Sequence, residues 1–491
     1  MRRSFWLSWL WVALFPVCCW AQVEDDFIPQ SDFGSFQQQM NQRFDRFQDT
    51  INHRFAKELE RQWMEYRIFT GEEQPVRPKP LVQPVAPPHH PVSSEELPVG
   101  DVLPLLQAYP QPALIQSPEL PPTPQAGMMQ LHPSFFSQSI TCDCPAGYSG
   151  LQLSGIDEKS VATFWMALAQ EGVDYFIAQC RHWVAQLHLN DWAVYQLSEA
   201  LAQQLYPHRY NEQTVTTVFI VNQLGLKAKI GRCNQQLVSL LPVNHTIYSR
   251  SYLKLQDTKY YIFPSVDTSA EGQSTYTYSL DFPSAQSVFD MNIHEPLNFD
   301  STGGEHEFST RWHGTDISIR VNRALMDFYH AYPQVELAVY ANAAPDAKWT
   351  AQMKQVLSTM LEGRNEYEAA EALLSFMHHT FRYANDKEQF GYEKTFFCEE
   401  NFFYSGSDCE DFAVLFSYLV RELVGLDVVL LDYQNHIATA VHFHDPSVEG
   451  DFYMLNGKKY IVCDPTYFGA SVGEAMMNYK NVKARLIELK K

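Results

Sequence analysis

The chain has 491 residues, 45% of them hydrophobic, and 57 acidic against 36 basic side chains give a formal charge of −21. So acidic a balance argues against nucleic acid and anionic membrane as partners, and no stretch beyond the N-terminus reaches the 18 apolar residues of a spanning helix. Nine cysteines in so long a chain are too sparse for a core that depends on disulfides.

Arg2 and Arg3 precede an apolar run from Phe5 to Trp20, followed by Ala21 and the polar Gln22-Val23-Glu24-Asp25-Asp26. This pattern predicts a secretory signal peptide over 1–21, cut after Ala21, and hence a periplasmic or extracellular protein. The bulky Val17 before Cys18 disfavours a lipid anchor there. Seven cysteines remain beyond the cut, an odd number that suggests at least one free thiol; the others allow 15 pairings that spacing does not rank.

In the segment 22–74, large apolar residues from Phe33 to Tyr66 recur about every 3.7 residues, which predicts one straight amphipathic helix ending near Gly71. Its stripe is expected to pack on the protein's own body, a second chain being the competing partner. Residues 75–134 read as an extended, mostly unstructured linker or wrapping segment, with 16 of the 28 prolines between 75 and 133.

Residues 135–270 recover globular texture. Val161 to Trp183 and Asp191 to Leu205 have helical spacing, with Asn190 as a cap. Short alternating runs over 271–342, such as Tyr276–Leu280 and Ile317–Val321, predict a β-rich insert. Asp346 to Phe381, opening the segment 343–491, reads as helical.

The strongest chemical signal is Ser407-Asp408-Cys409-Glu410-Asp411-Phe412-Ala413. Apolar residues at Phe412, Leu415, Phe416, Leu419, Val420 and Leu423 predict a helix with Cys409 at its mouth, where the helix dipole favours thiolate. A partly exposed thiol of depressed pKa is therefore expected. His436 opens a strand after the apolar run Val428–Leu431, and Asp464 ends the next strand before Pro465. Imidazole can take a thiol proton, and a carboxylate on its other nitrogen fixes tautomer and orientation.

In this order the motifs Gly406–Ala413, Asn435-His436-Ile437-Ala438 and Cys463-Asp464-Pro465-Thr466-Tyr467 resemble the transglutaminase-like superfamily, whose fold is papain-related, over roughly residues 345–491. The resemblance implies an α+β chain with a C-terminal transglutaminase-like domain at 343–491. It implies Cys409 as nucleophile, His436 as base and Asp464 as orienting acid, acting on amide bonds as peptidase, amidase or acyl transferase. Gln389 is the candidate second oxyanion donor beside the backbone N–H of Cys409. The expected partner is a protein or peptide substrate, with no cofactor; oligomeric state is not specified by the pattern. A non-catalytic peptide- or polymer-binding protein on the same scaffold is the alternative.

Taken singly, each of the three residues has a plainer role: Cys409 as a small buried hydrophobe, His436 as a surface residue, Asp464 as a turn former. A zinc site built on His436, His442 and His444, with Cys463 nearby, fails because six strand residues span about 20 Å. His378-His379 are adjacent and point apart, and His89-His90 lie in the linker. No metal is expected.

An offset of 200 aligns Gly225 with Gly425 and Lys259-Tyr260-Tyr261-Ile262 with Lys459-Tyr460-Ile461-Val462. Residues 135–270 are thus either a degenerate transglutaminase-like copy or a chance match of two helix–Gly–strand units. Arg209, Gln236 and Pro264 fall at the aligned positions of Cys409, His436 and Asp464, so the copy would hold no nucleophile. All chemistry is then expected in the C-terminal lobe, with residues 22–134 dispensable for thiol reactivity.

Overall fold

The hairpin joining His436 to its neighbouring strand sets the architecture of the C-terminal half. Strands Asp427–Tyr433 and His436–His442 pair antiparallel in the computed structural model, which describes residues 50–74, 79–80, 82–88, 94–105, 127–264 and 273–490. The predicted signal peptide and the first half of the Phe33–Tyr66 stripe lie outside the described residues. Among those described, no helix is long and apolar enough to cross a membrane.

The chain is a mixed α+β protein built on two six-stranded sheets. One runs 452–455, 458–463, 436–442, 427–433, 484–488 and 99–103. The other runs 252–255, 258–263, 236–242, 229–233, 274–277 and 64–67. The orders correspond over the first five strands; the sixth is parallel to its neighbour in the first sheet and antiparallel in the second. The registers also correspond at the offset of 200: Arg232 faces Leu237 as Asp432 faces Ile437, and Ser239 faces Phe263 as Thr439 faces Cys463. Tyr252 faces Tyr261 as Phe452 faces Ile461. Gly225 and Gly425, both at positive φ, each end the helical segment before the first of these strands, a conformation glycine adopts without a Cβ clash. The match between Gly225 and Gly425 is therefore one of three-dimensional register as well as letters.

Helices cover these sheets. Glu158–Leu168, Val173–Gln186, Asp191–Leu205 and Tyr210–Gln223 serve the first lobe, and Ala347–Leu361, Glu366–Thr380 and Cys409–Leu419 the second. Asn190 caps its helix as expected, accepting from Ala193 N. The single helices read over Val161–Trp183 and Asp346–Phe381 each divide, the first at Gly172 and the second near Gly363, both at positive φ. Asn365 and Glu368 then form a reciprocal capping box that restarts the chain.

Strand is sparser in 271–342 than expected: one strand at 274–277, a hairpin of 305–312 with 315–322, and helices at 323–330 and 337–341. The amphipathic stripe is helical at 50–59 and then turns, so that Met64–Arg67 pairs with Ser274–Thr277. Phe55, Leu59 and Trp63 are buried, with Phe55 against Trp165 and Phe282 at ring distances of 4.9 and 5.2 Å. The described part of the stripe packs on its own body, and an edge strand replaces its last turn because the sheet offers the backbone a partner.

Candidate functional site

Cys409 is the first residue of its helix because Asp408 stops the chain in extended form. The Asp408 backbone N–H donates to Asp411 Oδ2 at 3.0 Å, while Phe412, Leu415, Phe416 and Leu419 bury the apolar face of the helix. The loop before it runs against 382–384, with Ala384 N donating to Ser407 O and Ser407 N to Arg382 O, both at 3.0 Å. A Cβ on Gly406 would meet the Ala384 Cβ at 2.4 Å, so only glycine permits this approach. Gln389 donates its side-chain amide to Gly406 O at 3.1 Å and Ala384 O at 3.4 Å. The candidate oxyanion donor is thus seated as a brace of the loop.

His436 opens its strand, and its Nε2 pairs with Asp464 Oδ2 at 2.8 Å. Asp464 Oδ1 accepts from Thr466 N at 3.0 Å, which fixes the carboxylate. On the other side of the ring, Nδ1 is buried and has no hydrogen-bond partner among the described residues. Tyr479 stacks on the imidazole at 5.2 Å and Tyr433 lies at 6.3 Å, with Tyr433 and Tyr453 sharing a hydroxyl contact of 2.7 Å. This aromatic clamp is absent from the sequence reading. Only the bare order of aromatics, with Tyr433 three residues before His436, hinted at it.

The helix and strand carrying Cys409 and His436 pack directly together, and the backbone N–H of Ile437 reaches Cys409. No hydrogen bond joins Cys409 to His436; instead the thiol donates to Glu410 Oε2 at 3.2 Å. Cys409 and His436 are fully buried and Asp464 nearly so. Burial chiefly, then the Glu410 and Asp408 carboxylates, push the Cys409 thiol well above its ordinary value, opposed by Lys79 and the Ile437 N–H. The expectation of a partly exposed, low-pKa thiol is corrected here. A helix N-terminus contributes under about 1 kcal/mol, whereas full desolvation of a charge shifts a pKa by several units.

Lys79, from the stretch read as a linker, enters the same region. Its ammonium contacts Glu410 Oε1 at 2.5 Å, Glu393 at 2.7 Å and Asp386 at 3.3 Å, and bonds Asp408 as well. Burial, only partly offset by Lys79, raises the Asp386 carboxyl to about 7. Burial also raises Asp408 and Asp411 well above the usual carboxylate range. The chain continues as a strap. Tyr383 donates its hydroxyl to Pro80 O at 2.8 Å, Phe468 N to Pro84 O and Ala86 N to Phe468 O, both at 2.9 Å. Residues 99–103 then add a parallel edge strand to 484–488. Lys79 thus joins the Cys409 surroundings from within the 22–134 region expected to be dispensable for thiol reactivity. The stretch looks unstructured in sequence because the bonds of Lys79, Pro80, Pro84 and Ala86 run to residues hundreds of positions away.

The seven described cysteines are free and buried. His442 bonds Lys459 O at 3.0 Å and His444 bonds Glu366 at 2.8 Å, so neither histidine turns its Nδ1 to a shared centre. The carboxylates of Asp386, Glu393, Asp408 and Glu410 bring one oxygen each within 4.8 Å of one another, a cation-binding arrangement that Lys79 fills. In the other lobe, Gln236 and Pro264 border a cavity of about 410 Å³ with Glu199, Gln203 and Ser239. Arg209 donates to Leu151 O at 2.8 Å.

In comparisons with family models, curated proteins and solved structures, the chain matches none.

Proposed function

We propose that the protein is an exported thiol enzyme of the transglutaminase-like type, acting on amide bonds through Cys409, His436 and Asp464. One observation carries this reading: the buried His436–Asp464 pair at 2.8 Å leaves Nδ1 unengaged beside the helix that Cys409 opens. Asp464 on Nε2 favours the tautomer with a hydrogen there, so that Nδ1 is the lone pair available to a thiol.

In the reaction, Cys409 turns from Glu410 and passes its proton to Nδ1. The sulfur then attacks the amide carbon, and the developing oxyanion meets the backbone N–H of Cys409. The C–N bond breaks as His436 returns the proton to the leaving amine, which gives a thioester. Water, deprotonated by His436, cleaves the thioester to a carboxylic acid and restores the thiol; an amine in place of water gives a new amide. Hydrolysis is the favoured outcome, since no groove for an acceptor is evident from the sequence.

The alternative is a non-catalytic peptide- or polymer-binding protein. The thiol's bond to Glu410 and its complete burial favour that reading for the resting state. Acylation by p-nitrophenyl acetate, followed by intact mass and peptide mapping, separates the two. The enzyme reading expects an acetyl group on Cys409 that forms more slowly in His436→Ala; a Cys409 acylated no faster than unfolded chain favours the binding protein.

A further inference from the structure

The described residues 79–80 and 82–86 lie along the Cys409–Asp464 region in the manner of a bound peptide. Pro84 and Ala86 exchange backbone hydrogen bonds with Phe468, four residues past Asp464, which is β-addition to a short edge. Gln83 adds a contact to Thr466 O at 3.4 Å. At the other end Lys79 leaves this extended path and plunges into a pocket walled by Asp386, Glu393, Asp408 and Glu410, its side chain 1% exposed. Two of those carboxylates flank Cys409 in sequence. Asp386 Oδ1 and Asp408 Oδ1 are buried without a hydrogen-bond partner among the described residues, so Lys79 leaves part of the pocket's polar lining unsatisfied.

Four acids gathered around one ammonium are costly to bury, and a fold that needed only stability would do as well with apolar residues there. The arrangement makes sense as recognition. We propose that this pocket is a specificity subsite for a lysine side chain in an extended polypeptide substrate, and that Lys79, Pro80 and residues 83–86 occupy the substrate path in cis. The inference rests on Cys409 being the nucleophile, since it is the position beside Cys409 that makes the path a substrate path. Encircled by carboxylates, the ammonium keeps its proton and has no lone pair to attack a thioester. The subsite therefore orients a chain for cleavage or transfer elsewhere and does not supply the acceptor amine. The same strap shields the thiol until it is displaced.

The test uses the full chain carrying Lys79→Met and Cys409→Ser with a fluorescein-labelled peptide of residues 76–88, read by anisotropy. This readout is independent of turnover, so it stands or falls apart from the enzyme reading. The lysine peptide is expected to bind at least tenfold more tightly than the same peptide with norleucine at the Lys79 position. Equal affinities, or no binding of either, overturn the proposal. Should that variant not fold, Ala86→Pro, which removes the N–H given to Phe468, serves instead. Iodoacetamide labelling of Cys409 is then expected to rise at least tenfold and to fall again with the lysine peptide but not the norleucine one. Unchanged labelling, or protection by calcium alone with the peptide inactive, overturns the proposal and in the latter case assigns the four acids to a metal cation.

Discussion

Lys79→Met removes the cation from a buried cluster and leaves its carboxylates in place. Asp386, Asp408 and Glu410 have side chains at most 1% exposed and Glu393 22%, so solvent cannot replace the lost ammonium. Breaking a buried ion pair by deleting one partner costs about 3–5 kcal/mol. With several carboxylates sharing one ammonium, the upper part of that range applies at pH 8. The cost has a defined pH dependence. Asp386 already sits at about 7 through burial, and without Lys79 the shared carboxyls rise further. The folded variant then binds protons that the unfolded chain releases near pH 4, so its stability increases as pH falls. Urea denaturation at pH 8 and pH 5.5 is expected to show the variant's deficit shrinking by 1 kcal/mol or more, about one proton taken up over part of that range. A deficit under about 1 kcal/mol at pH 8, or one independent of pH, would refute the account of a desolvated, charge-bearing pocket.

Other outcomes follow from the same structure. Asp464→Asn should keep the fold and lose about 10²–10⁴-fold in turnover, because the asparagine amide favours the wrong imidazole tautomer; full turnover on any amide would make Asp464 a turn residue. Glu410→Gln removes the carboxylate that accepts the Cys409 proton and raises the thiol's pKa, so alkylation of Cys409 at pH 7.5 should speed up, measured by peptide mapping. Phe55→Ala should destabilise by about 3–5 kcal/mol in chemical denaturation, as the ring is enclosed by Trp165, Tyr278 and Phe282. Burial holds His378 down to about 4 against an ordinary 6.5. The unfolded chain alone binds that proton between those values, so stability should fall by roughly 3 kcal/mol as pH drops from 6.5 to 4 and should do so less in His378→Gln.

The hairpin and helix around Cys409 were legible because their signals are local. Apolar residues three and four apart mark the helix, alternating and β-branched runs mark 427–433 and 436–442, and Asp464 precedes a proline that ends the strand. The offset of 200 was legible too, since a shared Gly-Leu turn and aromatic strand leave similar letters. What the sequence hid were pairings across hundreds of residues. Lys79 meets Asp386 and Asp408 at separations of 307 and 329, and nothing in a proline-rich stretch announces a buried lysine. The helix at 50–59 stops early because Met64–Arg67 find a sheet edge, a tertiary gain that outweighs helical periodicity. The thiol's environment was misread for a related reason: helix position is visible in the letters, whereas desolvation by packed neighbours is not.

The central claim is that Cys409 is a nucleophile driven by His436. Acyl transfer from p-nitrophenyl acetate to the intact chain, in wild type and Ala86→Pro, each with and without His436→Ala, tests it most directly by mass spectrometry of the Cys409 peptide. The account predicts an acetyl adduct on Cys409 that forms faster in Ala86→Pro, turns over with water, and falls by at least tenfold in rate when His436 is alanine. An adduct formed at the same rate without His436, or none on Cys409 in either background, would contradict it.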